Sequence, residues 1–385
     1  MIYLDHAATT SIDQEVFEAM VPFLMEFYGN PHGKYYLQAN KAKEGVETAR
    51  EAVANFISCR KDEIVFTSGA SEGNNFIIKG ITDAHHHKGN HIITTNIEHS
   101  SVLEAYRYLE KKGWNVTYLA VDSTGKVNID ELRDKITEET ILVSVGWANS
   151  EIGTIQDVEA IGKIIKEVNP SVFFHVDGTQ VIGKIKINFV ETKIDFLAFS
   201  AHKFYGPKGI GATIIKRDRD GDKPEITPLI HGGEQEMGYR GGTLAVANIV
   251  GMGKAAEISS KQIDTNHNHL LDLRRTLIDS LKKSQLQYKI NSPEKDVIPS
   301  IINVMFANLN NETLIKDISD EIAISTGSAC SSAKPSYVLK AIGLTDQEVR
   351  NSVRFSFGKN TTNKDIIRTI ERIEQVYLKY KSMFG

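Results

Sequence analysis

Apolar residues run along this chain in two rhythms. From residue 63 to about residue 215, short apolar runs alternate with longer stretches whose apolar positions recur every three or four residues. The runs at 63–67, 91–95, 116–120, 140–145, 172–176, 194–199 and 210–215 have the length and content of buried strands. The stretches at 71–83, 100–112, 130–135 and 157–168 have the period of helices. Such alternation predicts βαβ units, hence a mostly parallel sheet covered by helices. Before it come a short arm (1–12), a helix (13–27), a loop at 29–33 and a charged amphipathic helix (41–56). After it, a long helical segment (about 244–283) leads into strands at 300–306, 321–326 and 352–357, with helices between and at the end. This change of rhythm predicts two domains: residues 13–257, and a smaller α+β unit made of 258–385 with the arm 1–12.

Composition adds bounds. With 385 residues, 41% hydrophobic and 24% charged, the chain can bury a large core and a second, smaller one. A net charge of -4 makes no demand for nucleic acid. No basic segment with an apolar run marks an export signal, and no uncharged stretch reaches membrane-spanning length. Two cysteines, Cys59 and Cys330, make no disulfide framework. A cytoplasmic protein is the expectation. The run His85-His-His87 reads as a polar helix end rather than a metal site, because adjacent positions on a helix cannot all face one ion. No metal is expected.

Five polar stretches follow predicted strands, where open α/β sheets place ligands. Lys203 stands just past the run 194–199, flanked by Ser200 and His202. It reads as a solvated loop lysine or, partly desolvated, as a Schiff-base lysine. Ser68, Gly69 and Ser71 open the helix at 71–83, either as an ordinary cap or as an anion site at a helix N-terminus. His99 follows the strand 91–95 and could stack on a planar ring or simply fill a hydrogen-bonded place in the core. Asp177 closes the strand 172–176 and either caps a turn or pairs with a protonated pyridine nitrogen, as in lysine-bound pyridoxal phosphate; Gln180 could donate to the ring oxygen. Asp177 and Lys203 are separated by one crossover and one strand, so they can sit at the tips of neighbouring strands. Cys330 lies in a small, polar stretch, 325–335, and reads as a thiol on a movable loop. Cys59 follows an apolar helical run and reads as partly buried and inert.

Together these stretches resemble the cysteine desulfurases, in the class V aminotransferase group of fold-type I pyridoxal-phosphate enzymes. The resemblance covers essentially the whole chain. It is carried by Tyr3-Leu-Asp-His-Ala-Ala-Thr-Thr10, Phe66-Thr-Ser-Gly-Ala-Ser-Glu72, Glu98-His99, Ser200-Ala-His-Lys203, Gly206-Pro-Lys-Gly209, Arg240-Gly-Gly-Thr243 and Gly327-Ser-Ala-Cys330. The last is similar to the subgroup that supplies sulfur for iron–sulfur clusters, nitrogenase and tRNA thiolation. The resemblance implies an α/β fold: a seven-stranded, mostly parallel cofactor domain and a smaller α+β domain carrying the cysteine loop. It implies pyridoxal 5'-phosphate on Lys203, Asp177 on the ring nitrogen, Gln180 on the phenolic oxygen and a catalytic His99 stacked on the ring. Ala70, Ser71, Ser200 and His202 would bind phosphate, with Ser150 also at the cofactor and Thr243 reaching the partner subunit's phosphate in a homodimer. Asn30, Asn149 and Arg354 would bind L-cysteine, Arg354 as a bidentate carboxylate clamp. Cys330 would carry a persulfide to a protein acceptor: a scaffold, a tRNA-thiolation protein or a DNA-phosphorothioation protein.

Three departures stand out. Ser150 replaces the second asparagine usual before Glu151-Ile-Gly153, giving shorter reach and no amide. Lys34-Tyr-Tyr36 replaces a serine-rich stretch with a histidine. The stretch 330–335 is short. Other readings are a cysteine β-lyase, an aminotransferase, or a weakened sulfur-transfer scaffold, which Ser150 alone favours. Lyase and aminotransferase need no protein thiol.

Overall fold

The computed structural model describes residues 1–218, 221–327 and 335–384. In chain order the elements are β1 (Ile2–Tyr3), α1 (Gln14–Met25), α2 (Leu37–Ile57), β2 (Ile64–Thr67), α3 (Ala70–His85), β3 (His91–Thr95), α4 (Ser100–Glu110), β4 (Asn115–Leu119), α5 (Ile129–Lys135), β5 (Thr140–Gly146), α6 (Val158–Val168), β6 (Phe173–Asp177), β7 (Phe196–Ser200) and β8 (Gly211–Ile215). There follow α7 (Val246–Lys283), β9 (Tyr288–Ile290), β10 (Ile301–Phe306), α8 (Asn311–Ile318), β11 (Ile322–Ala323), α9 (Tyr337–Ala341), α10 (Asp346–Arg350), β12 (Ser352–Ser356) and α11 (Asn363–Phe384).

Seven strands form one sheet in the order β2-β8-β7-β6-β5-β3-β4. Only β8 runs antiparallel to its neighbours, β2 and β7; the rest are parallel. Alternation along each strand divides its two faces. Phe66, Ile93, Val143, Leu197 and Ile214 join one core, while Val65, Ile92, Leu142, Phe196 and Ile215 join the core on the other face. With helices on both faces, the central strands are buried throughout, which is why they read as continuous apolar runs.

A three-stranded antiparallel sheet, β12-β10-β9, and the parallel pair β1-β11 lie in the C-terminal part. The strand expected at 321–326 is only two residues long, because its partner β1 offers only two; beyond it Ser325 bridges to Arg354. We propose that the two domains divide inside α7 rather than at a linker. Ala247, Met252 and Ala256 of this 38-residue helix pack in the core of the large sheet. Leu270, Leu273, Leu277 and Leu281 pack in a separate core with Leu4, Val304 and Phe355.

The N-terminal arm binds both parts. Leu4 is in the smaller core and Ala7 in the larger. Ala7 N donates to Ser356 Oγ at 2.8 Å, and Thr10 N to His202 O at 2.9 Å. Helix α3 ends at His85, which is buried against Glu225 O, so the histidine run terminates a helix. Among the described residues no group of three His, Cys, Asp or Glu side chains could hold a metal, and no helix is long and apolar enough to cross a membrane.

Candidate active site

The carboxyl ends of β2, β5, β6 and β7 open onto a cavity of about 810 Å³. Asp177 is the last residue of β6, paired with Ala198 of β7, and two residues after Ala198 that strand ends at Ser200. A single turn, Ala201–Lys203, then sets Lys203 beside Asp177's strand. The spacing read from the sequence is therefore realised as two adjacent parallel strand tips.

Lys203 Nζ donates to two carbonyls of the arm, Ala7 O at 2.6 Å and Ala8 O at 2.8 Å. Asp177 accepts from Thr179 N (3.0 Å) and from Asn74 Nδ2 (2.8 Å). Asn74 also donates to Ser101 Oγ at 2.9 Å, and Ser101 Oγ lies 2.8 Å from His99 Nδ1. Ser101 N donates to the same Nδ1, so the neutral ring carries its proton on Nε2. Burial lowers the pKa of His99, against the pull of Asp177 and with the push of Lys203. One fully buried asparagine thus joins the carboxylate to the imidazole at the cavity wall.

Helix α3 begins at Ala70, whose N–H donates to Ser200 Oγ at 2.7 Å; Ser71 lines the cavity beside it. This close approach needs glycine opposite. A Cβ on Gly211 would stand 2.4 Å from Phe199 O and 2.7 Å from Gly69 Cα. His202 Nδ1 lies 3.1 Å from Thr9 Oγ1, and burial, with Lys203, Lys208 and Lys184 near, pushes its pKa down to about 4. It stands in the cavity as a neutral ring.

On the other wall Arg354 is buried. Its Nη1 donates to Ser150 O (2.9 Å) and Gly327 O (2.8 Å), and its Nη2 to Asp5 Oδ1 (2.5 Å). Its Nε has no partner among the described residues. Gly327 and Pro335, the described residues on either side of 328–334, both line the cavity. Cys330 lies outside the described residues.

Not every expected side chain reaches the cavity as expected. Asn149 lines the cavity, and its amide also holds its own turn: Oδ1 accepts from Glu151 N and Ile152 N, and Nδ2 donates to Ile97 O. Asn30 is exposed, accepts from His32 N and is not among the cavity-lining residues. Thr243 is likewise exposed and outside the cavity. Gln180 lines it, but its Nε2 donates to Ala7 O at 3.0 Å and its Oε1 accepts from Lys184 Nζ at 2.9 Å. Ser150 is at the wall, holding Arg354 through its carbonyl.

Asn74, Lys184 and the carbonyls of Ala7 and Ala8 were not singled out from the sequence. Asn74 carried one signal, a polar residue on the apolar side of a helix. The carbonyls carried none, since any backbone has them. Glu98 is also buried at the site, accepting from Thr95 Oγ1 at 2.7 Å; burial raises its carboxyl to about 7.

The profile of the class-V aminotransferases matches residues 2–368. The chain belongs to the class-V aminotransferase family. A class-V relative from Dictyoglomus turgidum, named cysteine desulfurase IscS, is 42% identical over 385 residues, covering 99% of this chain and 96% of the relative. The solved structure of a NifS-like protein matches with a TM-score of 0.91 and 38% identity, over 98% of this chain and 99% of that one. A second, titled SspA in complex with cysteine, matches with a TM-score of 0.80 and 36% identity, over 93% and 99%. The fold is therefore that of fold-type I enzymes, and the class-V cofactor is pyridoxal phosphate. The residues present fit that group. A carboxylate stands across from a lysine amine, a helix N-terminus with hydroxyls offers an anion seat, and Thr179 Oγ1 in the cavity wall is buried with no partner among the described residues.

Proposed function

We propose that this chain is a pyridoxal-phosphate-dependent cysteine desulfurase that moves sulfur from L-cysteine to Cys330 and releases L-alanine. The observation that carries the reading is the meeting of Lys203, Asp177 and Arg354 around one cavity, in a chain 42% identical to a named cysteine desulfurase.

Pyridoxal phosphate, when bound, supplies an electron sink for the substrate's α-carbon. Asp177, held by Thr179 N and Asn74, stands to keep a ring nitrogen protonated. The α3 N-terminus, Ser71 and Ser200 stand to hold the phosphate. Arg354 orients the substrate carboxylate: Nη1 is engaged by two carbonyls and one Nη2 hydrogen by Asp5, which leaves the second Nη2 hydrogen and the buried Nε as donors. Lys203 Nζ moves the α-proton. The Cys330 thiolate attacks the substrate sulfur, so the Cβ–S bond breaks as an S–S bond forms. The sulfur pair is oxidised to a persulfide, the carbon is reduced to a methyl group, and no outside oxidant is required.

A homodimer completes the proposal. Phe17, Leu24, Met25, Tyr28 and Tyr35 are large apolar side chains left exposed on and after α1. Asn30 and Thr243, outside their own cavity, are free to serve a second copy. The persulfide passes to a protein acceptor.

The test is spectroscopic and chemical together. Wild type loaded with pyridoxal phosphate is expected to absorb in the visible and to release alanine from L-cysteine in step with persulfide on Cys330. Lys203→Ala should lose the absorption and the turnover while keeping a folded circular-dichroism spectrum. Alanine without protein persulfide, but with free sulfide, would make the enzyme a lyase; amino transfer to a keto acid would make it an aminotransferase.

A further inference from the structure

Lys184 is a buried lysine that no step above uses. It lies four residues past Gln180 in the turns that follow β6, and it reaches back to that residue. Its Nζ donates to Gln180 O at 3.0 Å and to Gln180 Oε1 at 2.9 Å. On the opposite side Gln180 Nε2 donates to Ala7 O at 3.0 Å, the same carbonyl that takes Lys203 Nζ.

These partners decide which way the carboxamide faces. A lysine ammonium can only donate, and the carbonyl of Ala7 can only accept whatever the lysine's charge. With Lys184 on one side and Ala7 O on the other, only one of the two amide flips satisfies both. The flip places Nε2 toward the arm and the Lys203 amine. Burial, with Lys203 and Arg354 near, lowers the Lys184 amine to about 7. That does not loosen the arrangement, since two donations need two hydrogens and the neutral amine has them.

We propose that Lys184 is a positioning residue, which fixes the Gln180 carboxamide so that it meets the cofactor's ring oxygen as a donor and not as an acceptor. This rests on the reading of Gln180 as a cofactor contact. Lys184 itself need not touch the cofactor; it acts through the amide. Its chemistry predicts that a donor at this place matters and a positive charge does not.

The experiment is a double-mutant cycle on the holoenzyme, with Gln180→Leu and Lys184→Met as the single changes. Methionine has similar length and no charge to desolvate, so the fold is expected to hold. The readouts are the rate of pyridoxal-phosphate loss on dialysis and the pH midpoint of the visible absorption. Gln180→Leu is expected to release the cofactor about five- to tenfold faster, the worth of one hydrogen bond. Lys184→Met should move both readouts the same way, by no more than that. Added to Gln180→Leu, it should change neither further. Lys184→Gln, which keeps a donor without a charge, should stay near wild type. If Lys184→Met does not fold, Lys184→Gln decides alone: a wild-type midpoint supports the role, a displaced one overturns it. A Lys184→Met effect that persists undiminished in the Gln180→Leu background overturns the inference while leaving Gln180 at the cofactor. A Gln180→Leu holoenzyme that behaves as wild type removes the reading of Gln180 beneath it.

Discussion

Asp5 and Arg354 are 349 positions apart and meet through Oδ1 and Nη2 at 2.5 Å. The pair joins the N-terminal arm to β12 and fixes the guanidinium at the cavity wall. Arg354 is buried while Asp5 keeps partial contact with solvent, so the pair lies between a surface salt bridge and a dry one. Asp5→Asn is expected to lower stability by about 1–3 kcal/mol, since a buried cation loses its anion but keeps two carbonyls. It should also raise KM for L-cysteine about threefold to tenfold, as the guanidinium loses its fixed orientation. Thermal unfolding and steady-state alanine release measure the two. A fall in KM would mean that Asp5 competes with the substrate for Arg354.

Ser150 faces the cavity where a longer amide would reach further in. Ser150→Asn is expected to raise kcat/KM for L-cysteine, by up to about tenfold, the equivalent of one added hydrogen bond. The backbone carbonyl that holds Arg354 is unaffected by the change. Unchanged or weaker turnover would show that the pocket has adapted to serine.

The two cysteines are expected to behave differently. Cys330→Ser should bind pyridoxal phosphate with wild-type absorption, yet make almost no alanine and carry no persulfide. Cys59→Ser should leave turnover nearly unchanged. Burial raises the Cys59 thiol, and Glu63 and Asp62 raise it further, so it stays protonated and unreactive. Mass spectrometry of both cysteine peptides after one turnover checks the pair.

Glu98 gives a pH signature. Burial raises its carboxyl from 4.5 to about 7, the donors Gly146 N and Thr95 work against the shift, and Asp177 adds to it. The folded chain thus holds this proton more tightly than the unfolded chain does. The stability it contributes is full below about pH 4.5 and lost as pH rises through about 7. Glu98→Gln cannot titrate. The difference in melting temperature, wild type minus variant, should fall between about pH 5 and about pH 8. A difference independent of pH would show that Glu98 is ionised throughout.

Local sequence determined the layers of this protein. Apolar runs separated by helical periods marked the seven strands and their helices; the inner strands read most plainly, because a strand covered on both faces is apolar along most of its length, while the edge strand β4 buries only Leu119 fully. The positions of Asp177 and Lys203 were legible for the same reason: each ends or follows such a run, and neighbouring parallel strands align their tips. Helix ends shifted by a few residues; α2 starts at Leu37 rather than residue 41, with no side-chain cap at Tyr36.

Tertiary structure alone decided the rest. No spacing in the chain announces that Asp5 pairs with Arg354, that Ala7 O receives both Lys203 and Gln180, or that Asn74 joins Asp177 to Ser101. These contacts are made by carbonyls and single polar groups brought together from distant segments, and their worth comes from burial, which a linear sequence does not display. Asn149 is a further case. Its residue type suited a substrate contact, and only the folded chain shows that its amide oxygen also closes the turn it begins, taking the N–H groups of Glu151 and Ile152.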